Sequence, residues 1–130
     1  MQNLLFSYAG RINRGKFWLG AVILTVINGV LFSILGAVAS TQGEEGVSAL
    51  YIVLGIICLL IMVASVYCSV CLGIKRYHDR DKSGVWVLIQ FVPAIGAIWY
   101  FIEAGCLRGT AGPNQYGADP LDASNRFAAA

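Results

Sequence analysis

Three long apolar runs, separated by short polar segments, dominate the chain. No Asp, Glu, Lys or Arg occurs in residues 17–43, 46–74 or 83–102. Each run has about 20 residues or more, the length that a helix needs to cross about 30 Å of hydrocarbon. The pattern predicts three transmembrane helices, over about 17–39, 49–73 and 84–107. The third is expected to be kinked or broken at Pro93–Gly96, because proline removes a backbone donor and clashes with the preceding turn.

Shorter segments flank these runs. Residues 1–16 combine apolar and basic side chains, which predicts a short segment lying in the membrane interface. Residues 108–130 are rich in Gly, Pro and Asn and are expected to form an irregular, loop-like tail. We therefore interpret residues 1–130 as a single membrane domain with a head (1–16), helical spans (17–107) and a tail (108–130).

Composition supports a membrane location. Hydrophobic residues make up 58% of the chain and charged residues 12%, and mean hydropathy is +0.71. A soluble domain of 130 residues could not bury that much apolar surface. These values predict an all-α integral membrane protein. The net charge of +2 gives no reason to expect a nucleic-acid partner.

The basic residues predict an orientation. Arg11, Arg14 and Lys16 precede the first run, whereas the connector after it carries only the acids Glu44 and Glu45. Four more cations lie in the second connector: Lys75, Arg76, Arg80 and Lys82. The positive-inside rule then predicts a multi-pass membrane protein with a cytoplasmic N-terminus. Three crossings would place the tail outside, and a re-entrant third segment would return it to the cytoplasm.

Some residues within the runs are expected to mediate helix contacts. Asn28 should face another helix, because an unpartnered amide is costly in lipid. Small residues at four-residue spacing predict two faces that pack against each other, Gly29/Ser33/Ala37 and Ser65/Ser69/Gly73. Intramembrane polar residues also include Gln90 and Glu103. For Glu103, near the end of its run, snorkelling or local pairing is the favoured interpretation.

Residue types that often carry catalysis do not form a convincing site. Cys68 and Cys71 form a C-x-x-C inside an apolar run, where burial disfavours the reactive thiolate. The four cysteines lack the spacing of metal-ligand pairs. His78 and Asp79 are adjacent, but we find no second histidine and no nucleophile with a base, so a polar cap is favoured. We expect no enzyme, no metal and no cofactor.

Three motifs resemble one family. They are GRINRGKFW at 10–18, KRYHDRDKSGVW at 75–86, followed by PAIG at 93–96, and GTAGPNQYGADP at 109–120. In this order they are similar to the bacterial inner-membrane proteins grouped as domain of unknown function 805, the YhaH/YhaI-like family. Two positions depart from the family pattern: Val85, where Trp is common, and Lys75, where Arg is common. The resemblance implies a membrane location and no established reaction, substrate or cofactor.

The residues that match the family motifs form our candidate functional site. They are Arg11, Arg14, Arg76, His78, Asp79, Ser83, Asn114 and Tyr116. A further group is expected to anchor the chain at the interface: Phe17, Trp18, Lys75, Arg80, Lys82 and Trp86. The closing motif further contains Gly112, Gly117, Asp119 and Pro120.

The favoured functional hypothesis is a non-enzymatic inner-membrane accessory or interaction protein. Its basic residues would form a cationic cytoplasmic cap that binds anionic lipid headgroups or a partner protein, and homo-oligomers are compatible with this role. The alternative is a small transporter or channel component. In that case Asn28, Gln90 and Glu103 would line a polar path in an oligomer.

Overall fold

A computed structural model describes residues 2–43 and 46–122, and every regular element in that part of the chain is helical. Glu44 and Glu45, the acids of the first connector, lie outside the described residues, as does the end of the tail from residue 123. The helices are α1 (Gln2–Leu5), α2 (Arg14–Ala39), α3 (Ala49–Asp79), a 3₁₀ helix (Gly84–Phe91), α4 (Ile95–Tyr100) and a π-helix (Phe101–Cys106) that continues α4.

Two helices, α2 and α3, are long and apolar enough to cross a membrane. They have 26 and 31 residues, and most of their apolar side chains are exposed, as they would be in lipid. Asn13 caps the start of α2, where its Oδ1 accepts from the backbone N–H of Lys16 at 2.9 Å. Ser48 caps α3 in the same way through the N–H of Tyr51.

α2 and α3 form an antiparallel pair. Early residues of α2 meet late residues of α3, as when Gly20 packs against Leu72. In the middle, the Asn28 Nδ2 donates to the Ser65 Oγ at 2.9 Å. The expectation that Asn28 faces another helix is met by this contact. The predicted packing of the two small-residue faces is wrong, because Gly29 is exposed and no atom lies within 4 Å of where its Cβ would be.

The third apolar run does not form one helix. It is divided into a first arm, the 3₁₀ helix Gly84–Phe91, and a second arm, Ile95–Cys106. A tight γ-turn joins them, in which the Ile95 N–H donates to the Pro93 oxygen at 2.8 Å and Ala94 has φ +61°. Gly96 lets the arms approach, because a Cβ there would overlap the Ile89 carbonyl oxygen.

The two ends of this segment, which we term the hairpin (residues 84–106), lie together beside the C-terminal end of α3. Lys82, just before the first arm, forms an ion pair with Glu103 near the end of the second. A helix over 84–107 would separate these ends by about 35 Å. The prediction of a third crossing helix is therefore not supported, because the turn at Pro93–Ala94 reverses the chain.

We predict that Gly96→Ala disrupts the hairpin. The new Cβ must displace the backbone at Ile89, so the free energy of unfolding should fall by about 2 kcal/mol or more. The measurement is the midpoint of thermal unfolding of the full chain in neutral detergent. Gly36→Ala is the matched control, because an ideal Cβ at that helical position meets nothing within 4 Å. Equal midpoints for both variants would contradict the close contact.

Candidate functional site

The last two turns of α3 are the most enclosed part of the molecule. Nearly all residues from Cys71 to Asp79 are buried, because the head, the hairpin and the tail all pack around this end of the helix. Several of the enclosed residues are charged: Lys75, Arg76 and Asp79, with Glu103 from the hairpin. Buried charges are costly unless they are paired and hydrogen-bonded. Their partners therefore define the candidate site.

Arg11 joins the head to α3 and to the tail. Its Nε and Nη2 both approach the Asp79 Oδ1, at 3.1 and 3.0 Å. Its Nη2 also donates to the Thr110 carbonyl at 2.7 Å, and its Nη1 donates to the carbonyls of Gly112 (2.8 Å) and Gly117 (3.2 Å). Only 1% of the Arg11 side chain is exposed. The nitrogen atoms of its guanidinium therefore all donate to acceptors within the protein.

Arg76 holds the other oxygen of the same carboxylate. Its Nη1 pairs with the Asp79 Oδ2, and its side chain is 0% exposed. The Asp79 carboxylate therefore lies between two guanidinium groups, one local in sequence and one from the head. Arg76 also donates through Nε to the Ala104 carbonyl at 2.7 Å, and through Nη2 to the Leu107 carbonyl. One buried side chain thus binds α3 to the end of the hairpin.

The carbonyls at the end of the second arm are capped by side chains of α2 and α3. Besides the two that accept from Arg76, the Gly105 carbonyl accepts from the Trp18 Nε1 at 3.1 Å. The Cys106 carbonyl accepts from the Arg14 Nη1 at 3.0 Å. The last carbonyls of a helix lack partners within it and carry partial negative charge, so cationic donors stabilise this end.

The tail adds two contacts to this site, and the head adds one. The Asn114 Nδ2 donates to the His78 carbonyl at 2.9 Å. The Tyr116 ring stacks on the His78 imidazole, with ring centroids 3.9 Å apart and planes at 5°. The His78 Nδ1 lies 3.2 Å from the Gly10 carbonyl of the head. We use the name polar cluster for the set held together in this way: Arg11, Arg76, His78, Asp79, Thr110, Asn114 and Tyr116.

Thr110 and Gly109 belong to the site, and sequence reasoning missed their roles. The Thr110 N–H and Oγ1 both donate to the Asp79 backbone carbonyl, at 2.7 and 2.9 Å. Gly109 passes so close that a Cβ would overlap the Asp79 carboxylate. Both lie in the closing motif, so their position beside a motif was a usable signal. The carboxylate of Asp119 further shapes the tail by accepting from the N–H groups of Leu121 and Gly112, which lower its pKa.

Glu103 is paired, but the expected local pairing is wrong, because its partners come from the residues just after α3. Its carboxylate accepts from the Arg80 Nε at 3.2 Å and from the Lys82 Nζ. Both partners precede the hairpin in sequence, in the segment between α3 and the first arm. The Arg80 Nη1 also donates to the Arg108 carbonyl at 2.9 Å. This second set of ion pairs closes the base of the hairpin.

The predicted cationic cap is smaller than its seven residues. Arg11, Lys75 and Arg76 are buried, and the Lys75 Nζ donates to the Leu4 carbonyl at 2.8 Å. Arg14 and Lys16 remain exposed, with Arg80 and Lys82 partly so. A basic residue beside an apolar run predicts a membrane-flanking position. It does not reveal whether other segments of the chain will bury that side chain.

The predicted interface anchors differ from one another in the structure. Phe17 is buried in the core, which contradicts its role as an interface anchor, because it packs edge-on against Tyr100 of the hairpin. Lys75 is likewise too buried to reach headgroups. Trp18 and Trp86 are partly exposed, and the Lys82 Nζ lies 5.1 Å from the Trp86 ring centre. Ser83 caps the first arm, where its Oγ accepts from the Val85 N–H at 3.4 Å.

The three intramembrane polar residues occupy separate places. Asn28 contacts Ser65 between α2 and α3, and Glu103 is in its ion pairs. Gln90 lines a cavity between α2 and the hairpin. Its Nε2 is buried and has no acceptor within the described residues. A buried unpartnered donor costs about 1–3 kcal/mol. Within one chain these residues do not line a common path.

Cysteines and metal ligands add no further site in the residues that the structure describes. Cys58, Cys68 and Cys71 are buried and unpaired along α3, and Cys106 is exposed. Across 2–43 and 46–122, no group of three or more His, Cys, Asp or Glu residues is placed to hold a metal ion.

Comparisons with known proteins all point to one family of membrane proteins. The family model described as "Protein of unknown function (DUF805)" matches residues 5–118. The Escherichia coli K12 protein named "Inner membrane protein YhaI" is 33% identical over 119 residues, covering 92% of this chain and 90% of that protein. The "Inner membrane protein YhaH" of the same strain is also 33% identical, with coverage of 88% and 87%. No solved structure matches significantly.

We predict that Arg11→Lys releases the tail. Lysine keeps the charge but cannot reproduce the planar fork that contacts Asp79 and the tail carbonyls together. The loss should be about 3 kcal/mol, and chymotrypsin should cleave after Tyr116 at least tenfold faster. Arg14→Lys is the control, because exposed Arg14 makes one backbone contact. Wild-type cleavage rates for Arg11→Lys would show that the tail is held by other contacts.

Proposed function

The chain belongs to the DUF805 family, and from that premise we propose that it is a non-enzymatic accessory protein of the bacterial inner membrane that acts by binding. Its curated relatives YhaI and YhaH are named as inner-membrane proteins. The observation that carries the proposal is the saturation of the polar cluster. The donors of Arg11 and Arg76 are taken by the Asp79 carboxylate and by backbone carbonyls. The cluster therefore holds the segments of the chain together. In this proposal the exposed residues around the cluster bind the ligand or partner.

The proposed topology has two crossings, α2 and α3, with a cytoplasmic N-terminus. The hairpin enters and leaves from the cytoplasmic side, and the tail is cytoplasmic. Direct contact of Arg11 with the tail supports this arrangement, because head and tail must then share one side. Nonhelical backbone at membrane depth requires hydrogen-bonding partners within the protein, and the turn at Pro93–Ala94 supplies one, because the Ile95 N–H donates to the Pro93 carbonyl.

The binding surface in this proposal is the exposed part of the cationic cap. Arg14 and Lys16 of the cap are exposed, and Arg108 at the start of the tail adds a further exposed cation. Arg80 and Lys82 contribute in part, since both also pair with Glu103. Each cation near a membrane surface adds about 1 kcal/mol of attraction to anionic headgroups. Phosphatidylglycerol-type headgroups, or an acidic partner segment, fit this charge.

Reporter fusions test the topology. We predict that a cytoplasm-active fluorescent reporter joined after the last residue of the full chain is fluorescent, and that alkaline phosphatase at the same place is inactive. The matched control is a fusion after Gln42, in the connector between α2 and α3. There phosphatase should be active and the fluorescent reporter dark. An active phosphatase on the full chain would establish an odd number of crossings and overturn the re-entrant hairpin.

Lipid selectivity tests the cap. We predict that the double variant Lys16→Gln, Arg108→Gln lowers the preference for anionic over zwitterionic lipid by about fivefold per charge at low salt. Quenching of tryptophan fluorescence by brominated phosphatidylglycerol and phosphatidylcholine measures that preference. Asp81→Asn removes an exposed acid nearby and should leave the preference equal or higher. A preference unchanged in the double variant would remove the cap from the proposal.

A further inference from the structure

A cavity of about 380 Å³ lies between the beginning of α2 and the hairpin. Its wall is mainly aromatic, with the lining residues Phe17, Trp18, Gln90, Ala97, Tyr100 and Phe101. The volume is that of a small-molecule site.

The rings of this wall hold one another in fixed positions. Phe17 makes edge-to-face contacts with Trp18 and Tyr100, at centroid distances of 5.6 and 6.0 Å. Trp18 contacts Phe101 in the same way at 5.7 Å. Its indole N–H is fixed by the Gly105 carbonyl at 3.1 Å. The wall is therefore preorganised, which reduces the entropy lost when a ligand binds.

Gln90 brings an amide to this apolar site. Its Nε2 is buried and finds no acceptor within the described residues. Buried polar groups are almost always partnered, so this donor calls for a physical explanation. Rotation about the last bond of the side chain, whose torsional preference is broad, can turn the N–H toward the cavity. An acceptor oxygen placed there by a ligand would complete its hydrogen bonding.

We propose that this cavity binds a lipid-soluble molecule through a carbonyl oxygen, with the ring of a membrane quinone as the preferred ligand. The aromatic wall receives the planar ring, and Gln90 donates to its carbonyl. Exposed Ala97 and Phe101 mark the side on which an apolar tail leaves the cavity. The ester carbonyl of a phospholipid offers the same acceptor without the ring. This site is independent of the proposed cationic cap, which lies on other residues.

The depth of the cavity fits such a ligand. Trp18 lies about one helical turn beyond Arg14, the first residue of α2, so the cavity begins just inside the polar cluster. Carbonyl groups of amphiphiles concentrate at this boundary between headgroups and hydrocarbon, where indole rings also prefer to lie.

Titration of the full chain in neutral detergent with decylubiquinone tests the proposal. Quenching of intrinsic tryptophan fluorescence should saturate, because Trp18 forms part of the wall. Gln90→Leu should weaken binding about tenfold, equivalent to about 1.4 kcal/mol. Ala97→Phe, which fills the cavity from its exposed side, should abolish saturation. Gln115→Leu, at an exposed glutamine of the tail, should bind as the wild type does.

Two further measurements decide between the outcomes. Without quinone, Gln90→Leu should have an equal or higher melting temperature, because it removes a donor that lacks a partner. Titration with dihexanoyl phosphatidylcholine supplies ester carbonyls alone. Tighter saturation by that lipid, sensitive to Gln90→Leu, would support carbonyl binding and assign the phospholipid as its source. Unsaturable quenching, equal affinity in Gln90→Leu, or a lower melting temperature of that variant would each overturn the proposal.

Discussion

The Asp79 carboxylate between Arg11 and Arg76 is the interaction on which the rest of the structure depends. All three side chains are at most 5% exposed, so none can be rehydrated if a partner is lost. Removing one partner of such a buried set costs about 3–5 kcal/mol. Arg11 brings the head and the tail to this point, and Arg76 brings the end of the hairpin. One carboxylate therefore fixes four segments that lie far apart in sequence.

A membrane protein of this size needs such a polar connection. In lipid, helices gain little from apolar contact, because the surrounding hydrocarbon is as apolar as leucine. Along most of their length α2 and α3 share the Asn28–Ser65 hydrogen bond and van der Waals contact such as that of Gly20 with Leu72. The strong, directional contacts are concentrated at one end. That end is consequently well defined, while the opposite part of the helix pair is held by packing.

How far the sequence predicts this structure differs between elements. The apolar runs predicted the positions of α2 and α3 well. However, α3 continues to Asp79, six residues beyond its predicted end at 73, because other segments enclose its last polar turns. The motif residues Arg11, Asp79, Asn114 and Tyr116 do converge as a group. The reversal of the hairpin, which Pro93–Gly96 suggested only as the alternative to a third crossing, could not be chosen from hydropathy, which records composition and not chain direction. The reversal depends on a positive φ at Ala94. Alanine rarely adopts this conformation, so the residue type gave no indication of a turn.

The direction of the second arm follows from charge. Its last carbonyls, from Ala104 to Leu107, carry the negative end of the helix dipole, and each accepts from a side chain of α2 or α3. Two of the three donors are cations: Arg76 of the polar cluster, and Arg14 at the start of α2. Had residues 84–107 crossed straight through, these carbonyls would face the side of the connector 40–48, which contains no basic residue. The same distribution of cations that predicts the orientation of α2 and α3 therefore also favours the return of the hairpin, and with it the aromatic cavity between α2 and the two arms.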